Sequence, residues 1–138
     1  MDDESSLQKY DAIIIGAPVY RVKFPRCTSK FIRSHINELK KIKCAFFSVS
    51  LTAISKKQED IEAISQLTNE FPMNLDWKPD RVESFAGALA YTKYNIFLRF
   101  IIKMMVKSHD GDTDTTRDYE YTNWNDVQKF SHEFLSLN

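Results

Sequence analysis

The first strongly apolar segment lies close to the start of the chain, where residues 12–15 are apolar at every position and Gly16 follows. A strand of this kind is expected to be covered on both faces, as in the parallel sheets of α/β proteins. The apolar run leads directly into a segment that contains Pro18 and Tyr20. The pattern therefore predicts a central strand whose carboxyl end opens into a ligand-binding loop.

A helical pattern follows this strand. Pro25 stands where a helix can begin, and apolar residues recur at helical spacing from Phe31 to Leu39. Residues 44–49 are then almost entirely apolar, which predicts a second buried strand. The sequence thus predicts an amphipathic helix that crosses over between two parallel strands.

Two more helices and a third strand are predicted further along. Ser55 and Gln58 have the spacing of a capping box, and Pro72 is expected to end the helix that starts there. Residues 81–89 predict a strand, and its polar interruptions favour a position near the sheet edge. The last helix is expected to begin near Thr122 and Asn123. Its expected buried residues are Trp124, Val127, Phe130, Phe134 and Leu137.

Parallel strands place their carboxyl ends at one edge of the sheet, where ligands bind in open α/β folds. Three loops are therefore expected to meet there, at residues 17–22, 48–53 and 87–91. Gly16 and Gly87 would let the backbone approach a flat ligand, and Tyr20 and Tyr91 offer aromatic faces. Each loop taken alone is better explained as an ordinary turn at the end of a strand, whereas the three loops together favour a ligand site.

Composition and charge narrow the function classes. The 138 residues are 43% apolar, which suits a single folded domain. Nineteen basic and nineteen acidic residues balance, so we expect no nucleic-acid partner. Cys27 and Cys44 are far apart, and Cys44 lies in an apolar run. We therefore expect both thiols to be reduced, and we expect neither a disulfide nor a metal site built on cysteine.

Residues 91–109 combine basic and apolar positions. Arg99, Lys103 and Lys107 recur every four residues, which predicts a basic stripe along a helix. Most of the remaining surface would be apolar, with Ile96, Phe97, Phe100, Ile101, Met104 and Met105. Such a helix can lie in the headgroup layer of an anionic membrane. It can equally pack on its own domain or on a second subunit, and the sequence leaves both interpretations open.

The start of the chain shows no targeting pattern. Asp2, Asp3 and Glu4 carry the wrong charge for a signal peptide, and no apolar run reaches the roughly 20 residues that a bilayer span requires. We therefore expect a cytoplasmic protein, which residues 91–109 would bring to the inner face of the cell membrane.

Several motifs, taken in order, resemble one known family. They are the segments 10–20, 45–51 and 71–81, Ala86-Gly-Ala-Leu89 with Tyr91 and Tyr94, Asp112-Thr-Asp-Thr115, and Tyr121-Thr-Asn-Trp124. Across nearly the whole chain their order and spacing resemble the flavodoxin-like, quinone-dependent protoporphyrinogen oxidases of bacterial haem synthesis. The Trp-Lys-Pro-Asp-Arg run that ends at Arg81 and the Thr-Asp-Thr element are specific to that family. The pattern of strand and glycine is shared by all flavodoxin-like domains.

The resemblance implies an α/β fold, a flavodoxin-like three-layer αβα sandwich with a parallel sheet. One domain would span residues 1–138, with a helical insertion at residues 91–121 after the last main strand. The family's first strand, phosphate-binding loop, first helix and second strand have no counterpart here, so we expect an N-terminally incomplete domain. A fragment, a misplaced gene start and a domain that has lost its cofactor are the three explanations. The open edge at residues 12–15 would favour self-association.

The family role implies oxidation of protoporphyrinogen IX to protoporphyrin IX by flavin mononucleotide (FMN), with electrons passed to a membrane quinone. The cofactor carries the redox chemistry, so no catalytic side chain is expected. By resemblance, the residues beside the flavin are Pro18, Val19, Tyr20, Arg21, Ser48, Val49, Ser50, Leu51, Thr52, Gly87, Ala88, Leu89 and Tyr91. Those that could meet the two propionates of the substrate are Lys93, Arg99 and Lys103. Another flavodoxin-like electron carrier, or a cofactor-free interaction module, remains an alternative, the latter because the phosphate loop is missing.

Overall fold

A computed structural model describes residues 6–108 and 112–137 of the chain. Its central sheet contains the parallel strands β1 (Ala12–Pro18), β2 (Lys43–Val49) and β3 (Arg81–Phe85), in the order β1-β2-β3. In the register of these strands, Ile14 aligns with Ala45, and Ala45 aligns with Arg81. The predicted parallel α/β architecture is therefore confirmed.

Helices cover the sheet on both faces. Those on one face are α1 (Arg26–Ser34), α2 (Ile36–Leu39) and α3 (Gln58–Met73). On that side Ile32, Phe46 and Trp77 are almost fully buried together. The opposite face carries α5 (Trp124–Leu135), whose Phe130 and Phe134 pack against β2 and β3. The three layers place the apolar core on either side of β2.

The segment between β3 and α5 forms a small subdomain, which we call the insertion. It contains β4 (Ala88–Leu89), α4 (Ile96–Ser108) and β5 (Tyr119–Glu120), and β4 pairs with β5 in the antiparallel direction. Leu89, Tyr91 and Val106 form its buried centre. The predicted third strand is thus shorter than residues 81–89, because the chain leaves the main sheet after Phe85.

The expectation that the first strand is covered on both faces is wrong. In the described chain β1 lies at the edge of the sheet, and α5 packs over β2 and β3. The Ile14 side chain is consequently 46% exposed. The most buried strand is β2, in which Cys44, Ala45 and Phe46 are all inaccessible to solvent.

The helix boundaries also differ from the sequence pattern. The predicted crossover helix divides into α1 and α2 at His35, whose ring nitrogen Nδ1 lies 3.0 Å from the Phe31 carbonyl oxygen. The Ser55 hydroxyl accepts from the Lys57 amide at 3.1 Å and donates to Asp60 at 2.6 Å, so it does not form the predicted capping box. Pro72 is accommodated in the last turn of α3.

The last helix begins as predicted but buries fewer residues. Asn123 caps its N-terminus, because the Asn123 side chain accepts from the Asn125 amide. Phe130 and Phe134 are buried, whereas Trp124 and Leu137 are exposed. The two exposed residues lie at the ends of the segment, where no described element packs over them.

Candidate functional site

The three predicted loops meet at the carboxyl edge of the sheet. The Val19 amide donates to the Val49 carbonyl at 2.9 Å, and the Ser50 amide donates to the Phe85 carbonyl at 3.0 Å. These bonds join the chain just beyond β1, β2 and β3. We call this edge the rim, and it comprises residues 18–23, 50–52 and 86–88.

The segment after β1 forms a tight two-residue turn. Tyr20 and Lys23 exchange two backbone hydrogen bonds of 2.9 Å each, with Arg21 and Val22 at the tip. Both tip residues have left-handed backbone angles, with φ of 47° at Arg21 and 61° at Val22. This conformation is unusual for a β-branched residue and costs on the order of 1–3 kcal/mol. Strain of this kind is found at binding sites, where the surrounding structure maintains it.

The turn presents groups that suit a ligand. The Tyr20 side chain is 68% exposed. Within the described chain, the backbone amides of Arg21 and Val22 donate to no other residue. An aromatic face and two unused backbone donors therefore lie together at the rim.

The second rim loop is held by its own hydrogen bonds. The buried Ser50 hydroxyl accepts from the Thr52 amide at 3.1 Å and starts a short 3₁₀ turn at Leu51–Ile54. Leu51 packs against the insertion. Val49, Leu51 and Thr52 are half-buried. A ligand at the rim would therefore meet mainly the backbone of this loop and the exposed parts of its half-buried side chains.

Ser48 was predicted beside the flavin, but its side chain faces the core. Its hydroxyl lies 2.7 Å from the Thr68 hydroxyl of α3, and both residues are buried. Thr68 in turn donates to the Ile64 carbonyl at 2.7 Å. The Ser48 hydroxyl therefore holds β2 to α3 and does not reach the rim.

The third rim loop passes very close to the second. A Cβ atom on Gly87 would lie 2.8 Å from Val49 Cγ1, so this position has no space for a larger residue. Ala88 is exposed, whereas Leu89 is fully buried. Gly87 and Ala88 are therefore the residues of this loop that lie at the rim.

Tyr91, which was also predicted beside the flavin, is fully buried in the insertion. Its hydroxyl donates to the Asp112 carbonyl at 3.0 Å, and the Tyr121 hydroxyl donates to the Asp112 carboxylate at 2.6 Å. Burial raises the pKa of both tyrosines, and the Asp112 charge raises that of Tyr121 further. The two tyrosine hydroxyls therefore hold Asp112 in place within the insertion.

The predicted substrate cations lie among acidic groups. The Asp118 carboxylate accepts from the Thr92 amide at 2.8 Å and from its hydroxyl at 2.9 Å. These bonds lower the pKa of Asp118, and the nearby charges of Lys93 and Arg99 lower it further. Arg99 also donates to the Tyr94 carbonyl at 3.2 Å.

Lys103, the third predicted substrate cation, faces another acid. The hydrogen bonds from Thr116 lower the pKa of Asp114, and the charges of Arg117 and Lys103 add to this effect. The three cations of residues 93–103 are therefore partly neutralised by the acidic segment that follows the helix.

One face of α4 exposes large apolar side chains. Phe97 is 74% exposed and Phe100 is 62% exposed, and Ile96 and Met104 lie on the same side. The opposite side carries the buried Val106. The helix predicted at residues 91–109 is thus amphipathic, but it is shorter than predicted and spans Ile96–Ser108, while Tyr91–Lys93 form a 3₁₀ turn; His109 and the Met105 side chain lie outside the described part of the chain.

The described part of the chain shows neither a metal-binding cluster nor a membrane-spanning helix. Within residues 6–108 and 112–137, no three His, Cys, Asp or Glu side chains are grouped so that they could hold a metal ion. None of the helices in the described part of the chain combines the length and apolar character that a bilayer crossing requires.

A cavity of about 600 Å³ lies at the opposite edge of the sheet, before the start of β2 and β3. Leu39, Ile42, Cys44 and Trp77 form its apolar walls. At its mouth Lys40 and Asp76 form an exposed ion pair of 2.7 Å. Because this cavity is separated from the rim by the length of the strands, it does not contribute to the candidate site.

Comparison with known proteins agrees with this fold. Residues 1–116 match the flavodoxin domain family, to which the chain therefore belongs. The chain is 33% identical to the protoporphyrinogen IX dehydrogenase (quinone) of Escherichia coli (strain K12), over 98% of this chain and 74% of that protein. It is 34% identical to the protein of the same name from Leishmania major, over 95% of this chain and 56% of that protein. Among flavodoxin domains, it is thus a member of the protoporphyrinogen IX dehydrogenase (quinone) family. No solved structure was found to match.

Sequence reasoning missed the left-handed turn. Neither Arg21 nor Val22 is a residue type that favours a positive φ, so the sequence gives no signal for it. Lys23, which closes the turn by pairing with Tyr20, was missed for the same reason.

Proposed function

We propose that this chain is an FMN-dependent oxidoreductase that oxidises protoporphyrinogen IX to protoporphyrin IX and passes the electrons to a membrane quinone. The observation that carries the proposal is the meeting of the three loops at the rim, in a member of a family whose relatives are named for this substrate and acceptor. A flavin is the cofactor that a flavodoxin domain implies. The choice of FMN is part of the proposal.

The residues of the rim fit the planar end of a flavin. Its ring carries carbonyl oxygens and ring nitrogens that accept hydrogen bonds, and the amides of Arg21 and Val22 are unused donors. Tyr20 offers an exposed aromatic face. When bound, the flavin would take up reducing equivalents from one substrate and release them to the other. The chain would bind the ring and hold both substrates beside it.

The proposed flavin-binding residues differ in how much of each side chain is exposed at the rim. Exposed or half-buried side chains at the rim belong to Pro18, Tyr20, Arg21, Val49, Leu51, Thr52 and Ala88, whereas the buried Val19, Ser50 and Gly87 would contribute backbone only. The side chains of Ser48, Leu89 and Tyr91 are fully buried. These residues would therefore contribute to flavin binding only by fixing the position of the backbone near the ring. Lys93, Arg99 and Lys103 remain proposed contacts for the substrate propionates, although acidic neighbours reduce their attraction for another anion.

We propose in addition that α4 docks the protein on an anionic membrane surface. The exposed Phe97 and Phe100 would enter the headgroup layer, while Lys103 and Lys107 would meet anionic lipids. This placement would bring the site close to a quinone dissolved in the bilayer.

The outer edge of β1 supports a further proposal, that the chain self-associates. In the described chain β1 pairs with β2 on one side only, so its other edge has unpaired backbone groups. Edges of this kind recruit another strand. A second copy of the chain could supply one through its own β1.

The proposed reaction is tested with purified protein supplied with FMN. We expect a bound flavin spectrum, and porphyrin fluorescence that appears when protoporphyrinogen IX and a quinone are added without oxygen. Bound flavin without porphyrin formation would favour a different flavodoxin-like electron carrier. Failure to bind FMN would favour a cofactor-free interaction module.

A further inference from the structure

We infer that the rim turn, with Tyr20, Arg21 and Lys23, together with Arg26 at the start of α1, receives the carboxylates of the tetrapyrrole substrate. This inference rests on the proposed function and places the main carboxylate contacts at the turn after β1, with the cations of the insertion in a lesser role. The turn would bind the anionic oxygens of the substrate beside an aromatic ring.

The charge distribution of the chain supports this location. Between residues 12 and 57 the only acidic residue is Glu38, and its carboxylate accepts a hydrogen bond of 2.8 Å from the Leu7 amide. Arg21, Lys23 and Arg26 are exposed, and none of them forms an ion pair with a described residue. The balanced net charge of the whole chain therefore conceals a segment, residues 18–26, that carries three cations and no acid.

The geometry of the turn places a cation beside an aromatic ring. Tyr20 and Lys23 form a hydrogen-bonded antiparallel pair, so their side chains lie on the same face of the hairpin. A tetrapyrrole that packed against the side of the Tyr20 ring not occupied by the flavin would bring its propionates toward Lys23. Arg21 at the tip and Arg26 a few residues beyond could pair with the second carboxylate.

The cations of the insertion are less suitable. The Asp118 carboxylate lies near both Lys93 and Arg99, and it would repel an incoming carboxylate. Arg99 also uses one guanidinium nitrogen to bond the Tyr94 carbonyl. The turn has no such competitor within the described chain: Asp11 lies before the start of β1, at the other end of that strand, and no ion pair joins Arg21, Lys23 or Arg26 to a described acid.

The test compares two pairs of charge reversals on neighbouring positions. Lys23→Glu with Arg26→Glu changes the rim, and Lys30→Glu with Arg33→Glu makes the same charge change further along α1. Fluorescence titration of FMN-supplied protein measures the affinity for protoporphyrin IX and for its dimethyl ester, which has the same ring without free carboxylates. The rim pair should weaken binding of the diacid by about tenfold or more and leave the diester within about twofold. The control pair should change both by less than about threefold.

Several results would overturn the inference. They are an equal loss of diester binding, an equal effect of the control pair, and a loss produced by Lys93→Glu but not by the rim pair. A fourth arm addresses the other anion at this edge, the FMN phosphate. If the rim pair lowers the affinity for FMN relative to riboflavin and spares the diacid, the cations serve the cofactor instead.

Two further measurements keep the test decisive. The neutral pair Lys23→Gln with Arg26→Gln should give a smaller loss in the same direction, and circular dichroism should show that each variant is folded. If the wild-type chain binds neither porphyrin, the proposed substrate is wrong. If it binds the diacid without any dependence on Lys23 and Arg26, the proposed substrate stands and this inference falls.

Discussion

The Tyr121 hydroxyl donates a hydrogen bond of 2.6 Å to the Asp112 carboxylate, and this bond closes the insertion onto the segment that leads to α5. Tyr91 donates to the carbonyl of the same aspartate from the other side of the buried centre. The insertion is therefore held by two phenols that meet at one residue, and its stability depends on both remaining protonated.

The unfolding free energy at alkaline pH should depend on the hydrogen bond between Tyr121 and Asp112. Burial and the Asp112 carboxylate raise the pKa of Tyr121 above its ordinary value of 10.0. In the unfolded chain the phenol ionises near pH 10, so its contribution is complete below that pH and is lost as the pH rises further. Tyr121→Phe should cost about 1 kcal/mol at neutral pH and reduce this alkaline loss. Urea unfolding between pH 8 and pH 11 measures both effects.

Tyr10→Phe provides the matched control for that experiment, since Tyr10 is exposed at the surface. It should leave both the stability at neutral pH and its alkaline decline unchanged. An identical decline in the wild type and in Tyr121→Phe would show that the bond to Asp112 does not hold the insertion.

The buried pair of Ser48 and Thr68 predicts a separation of stability from flavin binding. Ser48→Ala removes one hydrogen bond while Thr68 keeps its bond to the Ile64 carbonyl. The unfolding free energy should fall by about 1 kcal/mol, and flavin affinity measured by fluorescence quenching should not change. A loss of affinity without a loss of stability would instead favour direct contact between the Ser48 hydroxyl and the flavin.

The strained turn predicts a stabilising substitution. Glycine adopts the left-handed conformation at little cost, so Val22→Gly should raise the unfolding free energy by about 1 kcal/mol. Val19→Gly is the control, because Val19 is buried, and it should destabilise the chain. Thermal unfolding of the two variants checks the prediction, and destabilisation by Val22→Gly would mean that the turn carries little strain.

The sequence was sufficient for the elements with strong local signals. The apolar runs at β1 and β2 and the helical spacing between them predicted a parallel sheet, and from that geometry the three loops at the rim followed. Asn123 was predicted near the start of α5 because the N-cap of a helix depends on the residue type at a single position.

The remaining features depend on partners that are distant in sequence. Tyr91 is buried because its ring packs with Val106 and Tyr119, 15 and 28 residues away, and its hydroxyl donates to Asp112, 21 residues away. Trp124 and Ile14 are exposed because no described element covers them, and an apolar pattern does not tell which face will find a partner. The break at His35 has a local partner instead, the Phe31 carbonyl four residues earlier, but the spacing of apolar residues does not reveal this side-chain contact.

Lipid binding should depend on the exposed face of α4. Phe97→Asp with Phe100→Asp removes two large apolar side chains, each of which contributes about 2 kcal/mol when buried in the headgroup layer. Co-sedimentation with vesicles of phosphatidylglycerol and phosphatidylcholine should fall by tenfold or more. Met73→Asp with Leu135→Asp alters equally exposed apolar residues elsewhere and should have little effect. Unchanged co-sedimentation of the α4 variant would exclude docking through this helix.

The open edge of β1 predicts association between copies of the chain. Size-exclusion chromatography with light scattering should show dimers or larger species whose fraction rises with concentration, because two β1 edges can pair through their free backbone groups. Ile14→Lys places a charge on the exposed face of that strand, where two copies would bring like charges together. This variant should shift the population toward monomer, whereas Met73→Lys, at an exposed position on α3, should not. A wild-type chain that is a monodisperse monomer with a sharp thermal transition would contradict the prediction.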